Sequence, residues 1–115
     1  MKPETQHVIV FEIDKNRTEK WKKWCKLLDT VYRSEVVKSL QEEKAEHEMF
    51  VSFELHGKTY GIALLEGECL PSNDRREVNR IHHMKVKECL KRVSKANILY
   101  SIKTSSQDVS VRALA

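Results

Sequence analysis

The stretch His47–Leu55, HEMFVSFEL, determines the predicted fold together with the turn and the run that follow it. Its side chains alternate in the manner of a β-strand. The turn His56-Gly57-Lys58 contains a glycine, and Thr59–Glu66 is again rich in apolar residues that favour strands. This pattern predicts an antiparallel hairpin in the middle of the chain.

A strand and a helix are predicted on each side of the hairpin. Before it, His7–Ile13 is β-branched and aromatic, and a long helix runs from about Glu19 to Glu43. The apolar stripe of that helix drifts, which predicts a bend or a restart near Ser34. After the hairpin, a second helix begins at Asn73 or Asp74 and extends to about Ser94, and Asn97–Lys103 is predicted as the last strand.

The order β-α-β-β-α-β predicts an α+β fold of the ferredoxin-like type. In this arrangement a four-stranded antiparallel sheet carries two helices on one face. We expect one domain over residues 1–103 and a C-terminal tail or arm over residues 104–115, which either frays or adds to a strand edge.

Alternation within the strands predicts which side chains face the helices. The predicted helix side holds Ile9, Phe11, Ile13, Met49, Val51, Phe53, Tyr60, Ile62, Leu64, Ile98, Tyr100 and Ile102. The predicted open side holds Val8, Val10, Glu12, Glu48, Phe50, Ser52, Glu54, Thr59, Gly61, Ala63, Leu65, Leu99, Ser101 and Lys103. Because solvent-facing sheets rarely display so many apolar side chains, we expect a second copy to cover this side and form a homodimeric α/β barrel. Glu12, Glu48 and Glu54 then line or rim a cavity, or lie in solvent at strand ends.

Composition is that of an ordinary small domain. The chain has 115 residues, of which 40% are hydrophobic and 33% charged, with 21 Lys and Arg against 17 Asp and Glu. One core serves a chain of this size, so no separate cofactor domain and no cofactor are expected. The longest apolar runs are four residues, so no membrane span is expected. Three widely spaced cysteines without a CxxC motif predict free thiols in the cytoplasm.

The candidate site residues lie in Asn79–Leu90, NRIHHMKVKECL. At helical spacing, His82 occupies the centre of the apolar stripe, Asn79 lies one turn before it and His83 lies on its flank. A functional interpretation makes His82 a catalytic general base, a proton relay or a ligand-orienting group, assisted by Asn79 or His83. A structural interpretation makes it a core histidine with satisfied hydrogen bonds.

Other chemistries find little support in the sequence. Adjacent histidines on a helix diverge, and no HxxxH or ExxH spacing occurs there, so no metal is expected. Neither Cys69 nor Cys89 has surroundings that favour a thiolate. On the predicted open side, the first and third strands carry no aromatic residue on which bases stack, so nucleic acid is not an expected partner.

Over roughly residues 6–103 the chain resembles a small bacterial family of uncharacterised proteins with the ferredoxin-like, dimeric α/β-barrel fold. The most specific part is Asn79–Leu90, with its two histidines and the ending Lys87-Glu88-Cys89-Leu90. The resemblance implies no assigned activity, although the wider superfamily includes cofactor-independent monooxygenases and haem-degrading enzymes. We expect a homodimer that binds a small molecule or acts as an accessory protein. The alternative is a monooxygenase-like or isomerase-like enzyme that uses His82 on a small apolar or aromatic metabolite.

Overall fold

A computed structural model describes residues 5–104, in which four antiparallel strands form an open sheet accompanied by three helices. In chain order the elements are β1 (Thr5–Ile13), a 3₁₀ turn (Lys15–Arg17), α1 (Thr18–Asp29), α2 (Arg33–Glu42), β2 (Ala45–Leu55), β3 (Lys58–Gly67), α3 (Glu77–Cys89) and β4 (Leu90–Lys95). The strand order in the sheet is β2-β3-β1-β4. None of the helices in this range is long and apolar enough to cross a membrane. Apart from Thr104, the predicted tail lies outside the described residues.

The central hairpin has the predicted form. Leu55 pairs with Lys58, so the turn consists of His56 and Gly57 alone. Both residues have positive φ, 51° and 77°, as a type I′ turn requires. The twist of this turn matches the twist of the two flanking strands, which fixes the register of β2 against β3.

The long first helix is divided, as its drifting apolar stripe predicts. Helix α1 ends at Asp29, and the backbone N–H of Tyr32 reaches back to the carbonyl of Leu27 at 2.9 Å. Helix α2 then begins at Arg33, next to the predicted break. The division lets each half turn its own apolar residues toward the sheet.

The prediction for the last strand was wrong. Helix α3 ends at Cys89 rather than near Ser94, and β4 follows at once as Leu90–Lys95. The carbonyl of Cys89 accepts a hydrogen bond from the backbone N–H of Asp14 at 2.8 Å, which places the end of the helix beside the end of β1. The next residues therefore pair with β1 first, and Asn97–Lys103 follows after the positions on that edge are occupied.

The predicted faces were correct for β1 and wrong for β2 and β3. Ile13 is buried under the helices, and residues directly opposite each other in a sheet share a face. Since Ile9 is opposite Ala63, and Ala63 is opposite Phe50, the helix side carries Ala63 and Phe50. A one-residue error in assigning a strand moves every side chain to the other face.

Gly61 explains why Phe50 faces the helices. A Cβ atom at position 61 would overlap the Phe50 ring, so the missing side chain leaves the space that the ring fills. From there Phe50 meets Trp21 edge to face, with ring centroids 5.2 Å apart. Among the residues that the structure describes, the buried core consists of Ile13, Trp21, Trp24, Val78 and Cys89.

The other side of the sheet is also apolar, although most of its residues differ from those predicted. Three rows of opposed residues cross it: Val8-Leu64-Met49, Val10-Ile62-Val51 and Glu12-Tyr60-Phe53. We call these rows the open face. The premise that the first and third strands place no aromatic residue on it was wrong, because Tyr60 of β3 lies there and stacks on Phe53 of β2 at 5.5 Å. Since β1 adds no aromatic residue to the face, the expectation of no nucleic-acid partner stays a prediction.

Candidate functional site

A cavity of about 300 Å³ lies between the helix side of the sheet and helices α1 and α3. Its walls are mainly apolar and include Trp21, Leu28, Phe50 and Leu65. The polar groups on its walls come from the residues His7, Cys25, Glu48, Cys69 and His82. An apolar pocket with a few polar groups is the usual form of a small-molecule site.

His82 projects from α3 into this space between the two tryptophans of α1. The indole Nε1–H of Trp24 donates to Nδ1 of His82 at 2.9 Å, and the two rings lie 6.2 Å apart in a stacked arrangement. A neutral imidazole that accepts at Nδ1 carries its proton on Nε2. Within residues 5–104, the Nε2–H group has no hydrogen-bond acceptor. His82 therefore fits both the structural and the functional interpretation. Its Nδ1 has a hydrogen-bond partner in the core, and its Nε2–H is available to a ligand.

Burial keeps His82 neutral. It lowers the pKa of His82 from 6.5 to about 4, and the neighbouring charge of His83 contributes in the same direction. At neutral pH the side chain is therefore a hydrogen-bond donor without charge.

Glu48 lies on the cavity wall at its solvent-exposed rim, as one of the two interpretations of the sequence expects. Partial removal from water raises the pKa of its carboxyl group, and the charge of Glu43 adds to this. Within the described part of the chain, no cation pairs with Glu48. Glu12 lies instead on the open face, 3.6 Å from the ammonium group of Lys58.

The cavity thiols are held in their protonated form. Burial raises the pKa of Cys25 to about 11, and Cys89 contributes to the rise. Burial also raises the pKa of Cys69, with a contribution from Glu43. Such thiols are poor nucleophiles at neutral pH. Across residues 5–104, no three His, Cys, Asp or Glu side chains form a metal-binding group.

Asn79 and His83 reach a second cavity, of about 270 Å³, which shares Leu28, Glu48, Leu65 and His82 with the first. Asn79 is occupied there, because its Nδ2 donates to the hydroxyl of Ser39 at 2.8 Å and to a backbone carbonyl at 3.0 Å. It thereby holds α3 against α2. His83 is exposed, with its two nitrogens 3.2 Å from Ser72 Oγ and 3.4 Å from Asp74 Oδ1.

Sequence reasoning anticipated the position of His82 and missed what orients it. Trp21 and Trp24 lie in the core, each 3% exposed. The hydrogen bond from Trp24 to His82 joins residues 58 positions apart, on different helices, so no local pattern reveals it. The available signal was that both tryptophans lie on the apolar stripe of α1, which can face the stripe of α3 that holds His82.

The four-stranded antiparallel sheet and the cavity between it and the helices define an α+β protein with a small-molecule-sized site. A scan against protein-family models and searches of curated proteins and of solved structures find no match. The family resemblance inferred from Asn79–Leu90 therefore stays a prediction.

Proposed function

We propose that this protein binds a small, mostly apolar molecule with one hydrogen-bond acceptor in the cavity between the sheet and the helices. The observation that carries the proposal is the Nε2–H group of His82, which is directed by Trp24 and has no acceptor within residues 5–104. Among the described residues, the fully buried side-chain nitrogen without a partner is Trp21 Nε1 and not His82 Nε2, so the Nε2–H group is open to the cavity and a ligand oxygen can bind it. The apolar walls favour the remainder of such a ligand.

Binding is a better assignment than proton transfer for this imidazole. A general base works best when its pKa lies near the working pH, and burial lowers the pKa of His82 to about 4. Asn79 and His83, its predicted assistants, already contact Ser39 and Ser72. The enzymatic alternative, with these three residues as catalytic groups, stays a prediction.

Acetophenone and ethylbenzene test the proposed site, because they share a phenyl ring and only the ketone offers an acceptor. Replacement of His82 by Asn keeps an acceptor for Trp24 and removes the Nε2–H donor. We expect this variant to bind acetophenone about three- to tenfold more weakly, with its affinity for ethylbenzene unchanged. NMR signals of the two tryptophan indole N–H groups report the binding.

His83→Asn is the matched control for this experiment. The side chain of His83 is largely exposed, and His83 directly follows His82 on the same helix. We therefore expect its replacement to leave the affinities for acetophenone and ethylbenzene unchanged. The proposal fails if neither compound shifts the indole signals up to its solubility limit. It also fails if the two affinities fall equally in the His82 variant.

We further propose that the fold is ferredoxin-like and that two copies pair through their open faces as a dimeric α/β barrel. The three rows of the open face leave Met49, Val51 and Phe53 between 41% and 44% exposed, which is unfavourable for an isolated sheet. Glu12 lies 3.6 Å from the ammonium group of Lys58 and opposite Lys91 of β4, so the charges of both signs lie together at one end of the face. A twofold axis makes this face self-complementary, which suits the commonest type of oligomer.

The three free cysteines agree with a reducing compartment, and we propose the cytoplasm.

Val51→Lys places a charge in the middle row of the open face and is expected to convert a dimer into a monomer. Met84→Lys is the control, because Met84 is 67% exposed on helix α3, away from the open face. Sedimentation velocity at micromolar concentration measures the state of each variant. A wild-type protein that sediments as a monomer would contradict the pairing.

A further inference from the structure

Glu48 lies at the place where three cavities on the helix side of the sheet meet. Two of them are the cavities that have His82 in their walls, and the third, of about 390 Å³, lies between helices α1 and α2 and strand β2. Leu28 of α1 and Glu48 of β2 belong to the walls of all three. A ligand group beside Glu48 is therefore next to each of these spaces, including the one proposed to hold the apolar part of a small molecule.

The register of the sheet turns Glu48 toward the helices. Glu48 is opposite Leu65, Leu65 is opposite His7, and Glu48 shares its face of β2 with Phe50. The carboxyl group therefore belongs to the apolar helix side, at a rim that is still open to solvent. Partial removal from water at this position is what raises the pKa of Glu48.

No positive charge among the described residues pairs with Glu48. Its carboxyl group has neither an ion-pair partner nor a hydrogen-bond donor in the range 5–104. Within that range, the walls of the two cavities with His82 contain no Lys or Arg, and Arg33 in the third wall is already paired with Asp29. The nearby Glu43 is held by the hydroxyl of Ser39 at 2.6 Å and adds a second negative charge. The rim is therefore negative, and Glu48 is the acid that is free to bind.

We propose that Glu48 selects ligands with a positive charge, so that the site takes a small amine whose ammonium group lies beside Glu48 and whose apolar part enters the cavity. This inference rests on the proposed small-molecule site and names the class of its ligand. An ammonium group supplies the counter-charge that the described residues lack, and its contact with a carboxylate is stronger where water is partly excluded. A metal ion fits less well, because Glu48 offers one carboxylate and residues 5–104 contain no group of three metal ligands.

2-Phenylethylamine and propylbenzene test the inference, because they have nearly the same size and only the amine is charged at pH 7. Neither offers an acceptor to His82. Glu48→Gln keeps the shape of the side chain and removes its charge. We expect this variant to bind the amine about tenfold more weakly and propylbenzene with unchanged affinity. NMR titration of the two indole N–H signals measures both affinities, and circular dichroism confirms that the variant is folded.

Glu54→Gln is the matched control. Glu54 lies further along β2 on the same face and outside the walls of the three cavities, so its replacement changes the net charge by the same amount and leaves the site intact. We expect this variant to bind both compounds as the wild-type protein does.

The outcomes separate this inference from the proposed small-molecule site. If neither compound nor acetophenone shifts the indole signals, both are overturned. If propylbenzene binds and the amine does not, the site stands and the inference fails. It also fails if Glu48→Gln leaves the affinity for the amine unchanged, weakens both compounds equally, or weakens the amine no more than Glu54→Gln does. A loss confined to the amine and to Glu48→Gln supports the inference, even if His82→Asn has no effect on acetophenone.

Discussion

Replacement of Gly67 by Ala is expected to lower the free energy of unfolding by about 4 kcal/mol. Gly67 has a φ of 121°, a conformation that side chains other than hydrogen rarely tolerate. A Cβ atom there would lie 2.5 Å from the carbonyl oxygen of Lys44. That oxygen is fixed, because it accepts the backbone N–H of Glu68 at 2.9 Å. Relief of the overlap would break the link between the end of β3 and the start of β2.

Gly57→Ala is the matched control for this prediction. Its φ of 77° is also positive, and a Cβ atom at that position meets nothing within 4 Å. Gly57→Ala therefore measures the cost of the backbone conformation alone, about 1 kcal/mol. Urea unfolding of both variants gives the comparison, and a fall in Tm of more than about 10 °C is expected for Gly67→Ala. If the two substitutions cost the same, the proximity of Lys44 has no energetic consequence.

Most elements of the fold follow from local patterns. The hairpin is determined by His56 and Gly57, and the division of the long helix by the drift of its apolar stripe. The faces of β2 and β3 do not follow in this way, because alternation shows that two faces exist without showing which one meets the helices. Gly61 was the informative residue, since a glycine inside a strand marks the close approach of a large neighbour, here Phe50.

The last strand was misplaced for a related reason. Asn97–Lys103 has the composition of a strand, and Leu90–Lys95 has three basic residues among its six, which resembles a helix end. Position in the fold outweighed propensity, because the end of α3 lies beside β1 and the first residues after it are the ones that pair. Residues 97–103 keep their apolar side chains without a place in the sheet.

The sequence alone identified one residue of the candidate site and none of its surroundings. His82 was identified from its place in the apolar stripe of a helix. Its tautomer, its low pKa and its access to a cavity depend on Trp24, on burial and on the opposite wall of the sheet, which come from distant parts of the sequence.

The stability of the protein is expected to fall by about 3 kcal/mol between pH 7 and pH 4 on account of His82 alone. Its pKa is lowered from 6.5 to about 4 in the folded state, mainly by burial. Below pH 6.5 the unfolded chain therefore binds a proton that the folded chain does not, so the free energy of unfolding falls as the pH falls. The slope reaches about 1.4 kcal/mol per pH unit and ends below pH 4, where both states carry the proton.

Glu48 and Glu66 also make the free energy of unfolding depend on pH. Glu48 acts in the opposite direction to His82, and Glu66 acts only at lower pH. Because burial raises the pKa of Glu48, the folded chain keeps that proton longer, and the stability from Glu48 grows as the pH falls. Glu66 has its pKa lowered from 4.5 to about 2 by Lys103, His47 and Gln6, so its contribution is lost only below pH 4.5. The effect of His82 is therefore measured as the difference in stability between the wild-type protein and a variant without His82, and not from the pH profile of the wild-type protein alone.

Urea unfolding of the wild-type protein and of His82→Asn at pH 7, 5.5 and 4 measures that difference. Asparagine keeps an acceptor for Trp24 and never binds a proton in this range, so the variant lacks the His82 slope and retains those of Glu48 and Glu66. The wild-type protein should lose stability relative to the variant by about 3 kcal/mol from pH 7 to pH 4. Parallel profiles for the wild-type protein and His82→Asn would mean that His82 titrates in the folded state as it does in the unfolded chain. In that case the imidazole is not sealed from water, and the neutral donor on which the ligand proposal depends is absent at mildly acidic pH.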